Sequence, residues 1–118
     1  MSERITVRVY EVVGSGLCVA ADDGQLVCDR VAGILASGRE VILSFGNVTR
    51  LTPAFLNAAV GQLYGRFSEE QIREQLSVVE MCPDDLGLLK QVVDTAKVYF
   101  KDPERYERAR AEAVGSER

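Results

Sequence analysis

The residues of this chain able to do chemistry are few and scattered. Two adjacent carboxylate pairs, Asp22-Asp23 and Asp84-Asp85, offer oxygens of the kind hard cations take. Metal sites of that class draw oxygens from more than one segment, whereas each pair here stands at a helix start, where the dipole already favours negative charge. Cys82 precedes Pro83 near a predicted helix N-terminus, a setting that activates a thiol. The sequence contains no histidine, which removes the commonest general base and the commonest metal ligand together. Gly14-Ser15-Gly16 and Gly46-Asn47 resemble pieces of a phosphate-cradling loop, but neither completes G-x-G-x-x-G or supplies the Lys-Ser/Thr of a P-loop, so both read as turns. Cys18, Cys28 and Cys82 are odd in number and contain no C-x-x-C, which suggests neither a disulfide framework nor a zinc site. The sequence therefore assigns no catalytic residue, no metal ligand and no cofactor, and the chain reads as a non-enzyme.

The elements that would position these residues follow from periodicity. Arg4 to Val12 alternates Ile5, Val7 and Val9 with Thr6, Arg8 and Tyr10, the period-two mark of a strand with one buried face. Gly14-Ser15-Gly16 ends it, Leu17 to Ala21 is a short apolar segment able to pair as a second strand, and Asp22-Asp23-Gly24 reads as a turn and helix cap. Leu26, Val27, Val31, Ile34 and Leu35 share a face, predicting a helix over Gln25 to Ser37 that Gly38 terminates in the left-handed conformation. Glu40 to Phe45 is a nearly continuous apolar run, the composition of a central strand covered on both faces.

Thr52 is suited to cap, and Pro53 to open, a second helix reaching about Phe67. Ser68 and Gln71 form a capping-box pattern for a short helix over Glu69 to Gln75, and Leu76 to Met81 reads as a strand. Leu86, Leu89, Val92, Val93, Ala96 and Phe100 predict a long third helix packed on the sheet. Beyond Asp102-Pro103 the residues are mostly Glu, Arg and Ala, with opposite charges four apart at Glu104 and Arg108 and at Arg108 and Glu112, and Tyr106 between. The prediction is a single α/β domain over residues 1–101, a mixed sheet of about four strands packed by three helices, followed by a charged helical tail over 102–118.

Composition narrows the partners. At 118 residues, 47% hydrophobic and 27% charged, the chain has the size and usage of one folded domain. A net charge of −4 with scattered Lys and Arg argues against a nucleic-acid partner. The start MSERITVRV lacks the pattern of a signal peptide, and no window approaches the roughly eighteen apolar residues of a membrane span. A cytoplasmic location and no membrane partner are expected.

Four segments carry a resemblance: VAADDG leading into the first helix, VILSFGNV as the central strand, LTPAFLNAAVGQLYGRF as the loop and second helix, and VVDTAKVYF at the end of the third. Together, from Val19 to Phe100, they resemble the bacterial STAS-like domain family of unknown function, which is similar in its central part to the STAS domains of anti-sigma-factor antagonists. The resemblance implies a small STAS-like α/β fold. In the antagonists a phosphorylatable serine at the start of the helix after the strand docks an anti-sigma kinase of the GHKL ATPase class, and phosphate there switches docking. The position aligned with that serine is Ala54, and Thr52-Pro53 stand where the antagonists show an acidic residue and a serine, which leaves Thr52 as the possible phosphoacceptor. The STAS-like pattern also favours acidic residues where this chain has Ser44 and Ala58.

What the resemblance implies is a regulatory, signalling or adaptor domain that binds a protein partner, by analogy a GHKL-type ATPase or anti-sigma-like kinase. The binding surface would be Asn47, Thr49, Arg50, Thr52, Pro53, Ala54 and Asn57. The alternative is a sensor domain holding a nucleotide or metabolite near the same loop. An edge strand over Arg4 to Val12 leaves a homodimer by sheet extension open.

Overall fold

The strongest strand signal, the apolar run after Arg39, becomes the middle of a three-stranded sheet. The computed structural model describes residues 4–101. In chain order they form β1 (Arg4–Arg8), α1 (Val9–Val13), β2 (Leu17–Cys18), α2 (Ala21–Ala36), β3 (Glu40–Ser44), β4 (Arg50–Leu51), α3 (Pro53–Ala59), a 3-10 turn (Gly61–Gly65), α4 (Glu69–Gln75), β5 (Leu76–Val79) and α5 (Pro83–Lys101). The expected charged tail, with its ion pairs and Tyr106, lies outside the described residues. No helix among the described residues is long and apolar enough to cross a membrane.

The fold is a small α/β arrangement, but the expected single mixed sheet of about four strands is two sheets. One has the order β1-β3-β5 and the other pairs β2 with β4. Every pairing is parallel. In the larger sheet Ile5, Val41 and Leu76 share one cross-strand row and Val7, Leu43 and Val78 another. Val7, Val41 and Leu43 are buried in one cluster with Val27, Val31 and Leu35 of α2 and Phe55, Leu56 and Ala59 of α3.

The intervening residues point the other way, since side chains alternate along a strand. On that face Arg4, Thr6, Arg8, Ser77 and Val79 are exposed and Ile42 is half-buried. Among the described residues the central strand is therefore covered by helices on one face, while on the other only Ser44 at its end is buried, in contrast to the cover on both faces that its composition suggests. Both crossovers, β1 to β3 and β3 to β5, advance in the same direction across the sheet. Right-handed crossovers of that kind lay their helices on a single side.

The predicted strand over Arg4 to Val12 stops at Arg8. Val9 is fully buried, α1 makes one turn, and Gly14 ends it at φ 85 with its N–H donating to the Tyr10 carbonyl at 2.8 Å. Asp22-Asp23-Gly24 is not a turn but the first turn of α2, whose N-cap Ala20 provides no side-chain cap. Gly24 is there for packing: a Cβ at this position would lie 2.5 Å from the Phe55 carbonyl oxygen and 2.9 Å from Ala58 Cβ, so its absence lets α2 and α3 approach. Gly38 takes the predicted left-handed conformation at φ 82.

The second helix also ends early, at Ala59. Val60, at φ −119 and ψ −45, bends the chain into the 3-10 turn before Phe67 is reached. The predicted short helix over Glu69 to Gln75 forms as read, with Ser68 Oγ accepting from the Gln71 N–H at 3.1 Å. β5 stops at Val79 because Glu80 turns to φ 57. α5 packs chiefly on the 3-10 turn and α3 and less on the sheet, and of its residues only Val92 and Ala96 are buried.

Candidate functional site

The loop that follows β3 is braced from below by a segment read as a mere turn. Phe45 donates its N–H to the Val79 carbonyl at 3.1 Å, and the chain reverses with Val48 N–H donating to Phe45 O at 3.2 Å. Asn47 supports this reversal in the left-handed region at φ 66, which short amide side chains tolerate. The Gly16 carbonyl then accepts three donors: Thr49 N–H at 2.9 Å, Arg50 N–H at 3.2 Å and Thr49 Oγ1 at 3.2 Å. Thr52 N–H donates to Cys18 O at 3.2 Å, and β4 lies parallel to β2 in the register Leu17 to Arg50 and Cys18 to Leu51. A Cβ on Gly16 would sit 2.6 Å from the Asn47 carbonyl oxygen, so this close approach requires glycine. Gly16 thus presents an acceptor to the loop, the wrong polarity for cradling an anion.

Thr52 caps α3 as its position predicts. Its Oγ1 accepts from the Phe55 N–H at 3.2 Å and donates to the Val19 carbonyl at 2.7 Å, so one hydroxyl both caps the helix and latches the loop to the β2 segment. Pro53 occupies the first turn, where its missing N–H costs nothing.

The seven expected site residues fall in three places. Pro53, Ala54 and Asn57 are exposed on α3. Pro53 and Asn57 form a shallow groove of about 280 Å³ with Leu88, Gln91, Val92 and Thr95 of α5, a set without charge. Asn47 faces elsewhere, into a cavity of about 370 Å³ at the carboxyl end of the larger sheet that it shares with Arg8, Tyr10, Glu11, Ser44, Gly46 and Glu80. Thr49 and Arg50 lie exposed on the braced stretch, and Thr52 is half-buried behind them.

A pair that sequence reasoning did not find anchors that cavity. Ser44, buried at 3% exposure, donates its hydroxyl to Glu80 Oε2 and accepts from the Gly46 N–H at 3.3 Å. The only sequence signal was Ser44 itself, standing where the family pattern favours an acid. Glu80 brings a carboxylate to that spot from the end of the neighbouring strand, a placement that depends on the β3–β5 pairing.

The other reactive residues stay apart. Cys18 and Cys28 are buried free thiols. Burial pushes the Cys18 thiol up to about 11, with Asp23 adding to the effect, and it pushes Cys28 up as well, against the opposing pull of Arg66. Cys82 is exposed and free. Asp22-Asp23 and Asp84-Asp85 lie in the first turns of α2 and α5, the placement that suits their charge. Among the described residues no cluster of three or more His, Cys, Asp or Glu is arranged to hold a metal.

A family profile described as "STAS-like domain of unknown function (DUF4325)" matches residues 23–86, more than half of the chain. The chain belongs to that STAS-like family. The match takes the STAS-like domain from the first turn of α2 into the first turn of α5, so it includes the loop, α3 and Glu80, and excludes the VVDTAKVYF segment. No curated protein and no solved structure matches this STAS-like domain.

Proposed function

We propose that this STAS-like domain is a non-enzymatic regulatory or adaptor module that docks a protein partner through the corner formed by residues 47–57. The observation that carries the reading is the brace. Five hydrogen bonds run from Thr49, Arg50 and Thr52 to the carbonyls of Gly16, Cys18 and Val19, holding an exposed loop in one shape before any partner arrives. A preformed surface avoids much of the ordering cost of association. Arg50, exposed and without an ion pair among the described residues, suits an acidic surface on the partner, and the uncharged groove of Pro53, Asn57 and α5 suits an apolar one.

By the family resemblance the partner is a GHKL-type ATPase or kinase, and the setting is bacterial cytoplasmic signalling. The net charge of −4 supports a protein over a nucleic acid as partner. A phosphate on Thr52 would remove the proton that reaches Val19 O and crowd the cap, so modification there would unlatch the corner. A dimer by sheet extension would use β1, the outer strand of the order β1-β3-β5, over Arg4–Arg8 only.

The test is capture of partners by the wild-type chain and by Asn57→Arg, which places a charge in the groove without touching the core. Recovery of an ATPase or kinase by the wild type and its loss from the variant supports the reading. Identical partner sets, or none of a regulatory class, overturns it. A second reading, a small-ligand sensor, draws on the cavity at the sheet's carboxyl end.

A further inference from the structure

We propose that the cavity at the carboxyl ends of β1, β3 and β5 binds a small dipolar ligand of the α-amino-acid type. Its carboxylate would face Arg8, and its ammonium would face Glu80 and Glu11. This deepens the sensor reading and rests on observations other than those behind partner docking. Crevices outside the carboxyl ends of parallel strands are where open α/β sheets take ligands. Here three strands end together, Arg8 and Ser44 standing on one cross-strand row.

The charges are what single out the ligand. One guanidinium and two carboxylates line the same space of about 370 Å³, yet among the described residues Arg8, Glu11 and Glu80 make no ion pair with one another or with anything else. Opposite charges held apart across one cavity are complementary to a molecule carrying both signs at short separation. An anion alone would meet two carboxylates, and a cation alone would leave Arg8 unmatched. The volume admits a small amino acid.

The walls are built and not incidental. Ser44, almost wholly buried, donates to one oxygen of Glu80 and so aims the carboxylate, while Glu80 itself stands at φ 57 and Asn47 at φ 66, two non-glycine residues in left-handed backbone on either side of the cavity. Gly46 keeps the floor open: a Cβ there would come within 2.9 Å of the Glu80 carboxylate. Because Asn47 also begins the docking loop, an occupant of the cavity touches the segment that would meet a partner.

The experiment is nuclear magnetic resonance titration of the isotope-labelled chain with a panel of α-amino acids at millimolar concentration, with methylamine and acetate as single-charge probes. At least one amino acid is expected to shift the Gly46, Asn47 and Glu80 amides along a saturating curve, with methylamine and acetate shifting none of them at the same concentration. Arg8→Gln, a change at an exposed side chain, is expected to weaken the dissociation constant by roughly tenfold or more. Glu80→Gln is expected to do likewise, with circular dichroism confirming that the chain remains folded. Single-charge probes that bind as well as any amino acid, or an Arg8→Gln variant with unchanged affinity, overturn the proposed ligand class while leaving a sensor in place. No shift at these amides with any probe overturns both.

Discussion

Thr52 shows how much one hydroxyl can hold. It accepts from the helix and donates to Val19, so Thr52→Val removes the cap and the latch together while keeping the shape. The expected loss is about 1–2 kcal/mol by urea denaturation, with Thr52→Ser recovering most of it, since the cap alone is worth about 1 kcal/mol. Cys18 makes the second prediction at this scale. Its folded thiol titrates near 11 against an ordinary value of 9.0, so the contribution is whole below 9 and is lost as pH rises toward 11, where the unfolded chain ionises first. Stability should fall by on the order of 2 kcal/mol across that window. Denaturation of Cys18→Ala over the same range should show a shallower decline, with Cys28, Tyr64 and Lys97, whose values are also raised, contributing to what slope remains. Thr52 and Pro53 were legible in the sequence because capping is a local affair of neighbouring residues. The Ser44–Glu80 pair was not, because nothing in either residue's neighbourhood says which strand lies beside it.

At the level of elements, Gly24 is the instructive misreading. Glycine after two aspartates looks like a turn, and only the close crossing of α2 over α3 shows that the missing Cβ is the reason for it. In an open helix Gly→Ala would stabilise by about 1 kcal/mol. Here the new methyl meets the Phe55 carbonyl oxygen at 2.5 Å, so Gly24→Ala should destabilise by about 2 kcal/mol or more, measured by thermal or urea unfolding. The same contrast between local and distant causes explains the other elements. α4 was readable from Ser68 and Gln71 and β2 from the short apolar segment that starts at Leu17, whereas β4, two residues long, carries no periodicity and exists because it pairs with β2. The early stop of α3 escaped notice for a related reason: Leu63, Tyr64 and Phe67 continue the apolar stripe through the bend at Val60, so hydrophobic spacing cannot distinguish a continued helix from a 3-10 turn that buries the same face.

Among the described residues the sheet is dressed with helices on one side. A parallel strand such as β3 is ordinarily covered twice, and its apolar composition predicted that, but the direction of both crossovers leaves Thr6, Ile42 and Ser77 on the bare side. Adjacent residues of one strand should therefore respond very differently to truncation. Leu43→Ala, in the fully buried row, is expected to cost about 2–5 kcal/mol, and Ile42→Ala about 1 kcal/mol or less, by urea denaturation under matched conditions. Equal losses would mean that something covers the second face in solution, and sedimentation analysis would then show whether it is another copy of the chain.

The brace beneath the corner also fixes when the corner can exist. Gly16 and Thr49 are 33 residues apart, and between them lie α2 and β3, so their bonds close only after that intervening chain has collapsed. During synthesis the corner accordingly cannot take shape from residues 47–57 alone, because its acceptors lie 33 residues upstream across α2 and β3. A binder selective for it would distinguish chains in which residues 16–52 have already packed from those in which they have not.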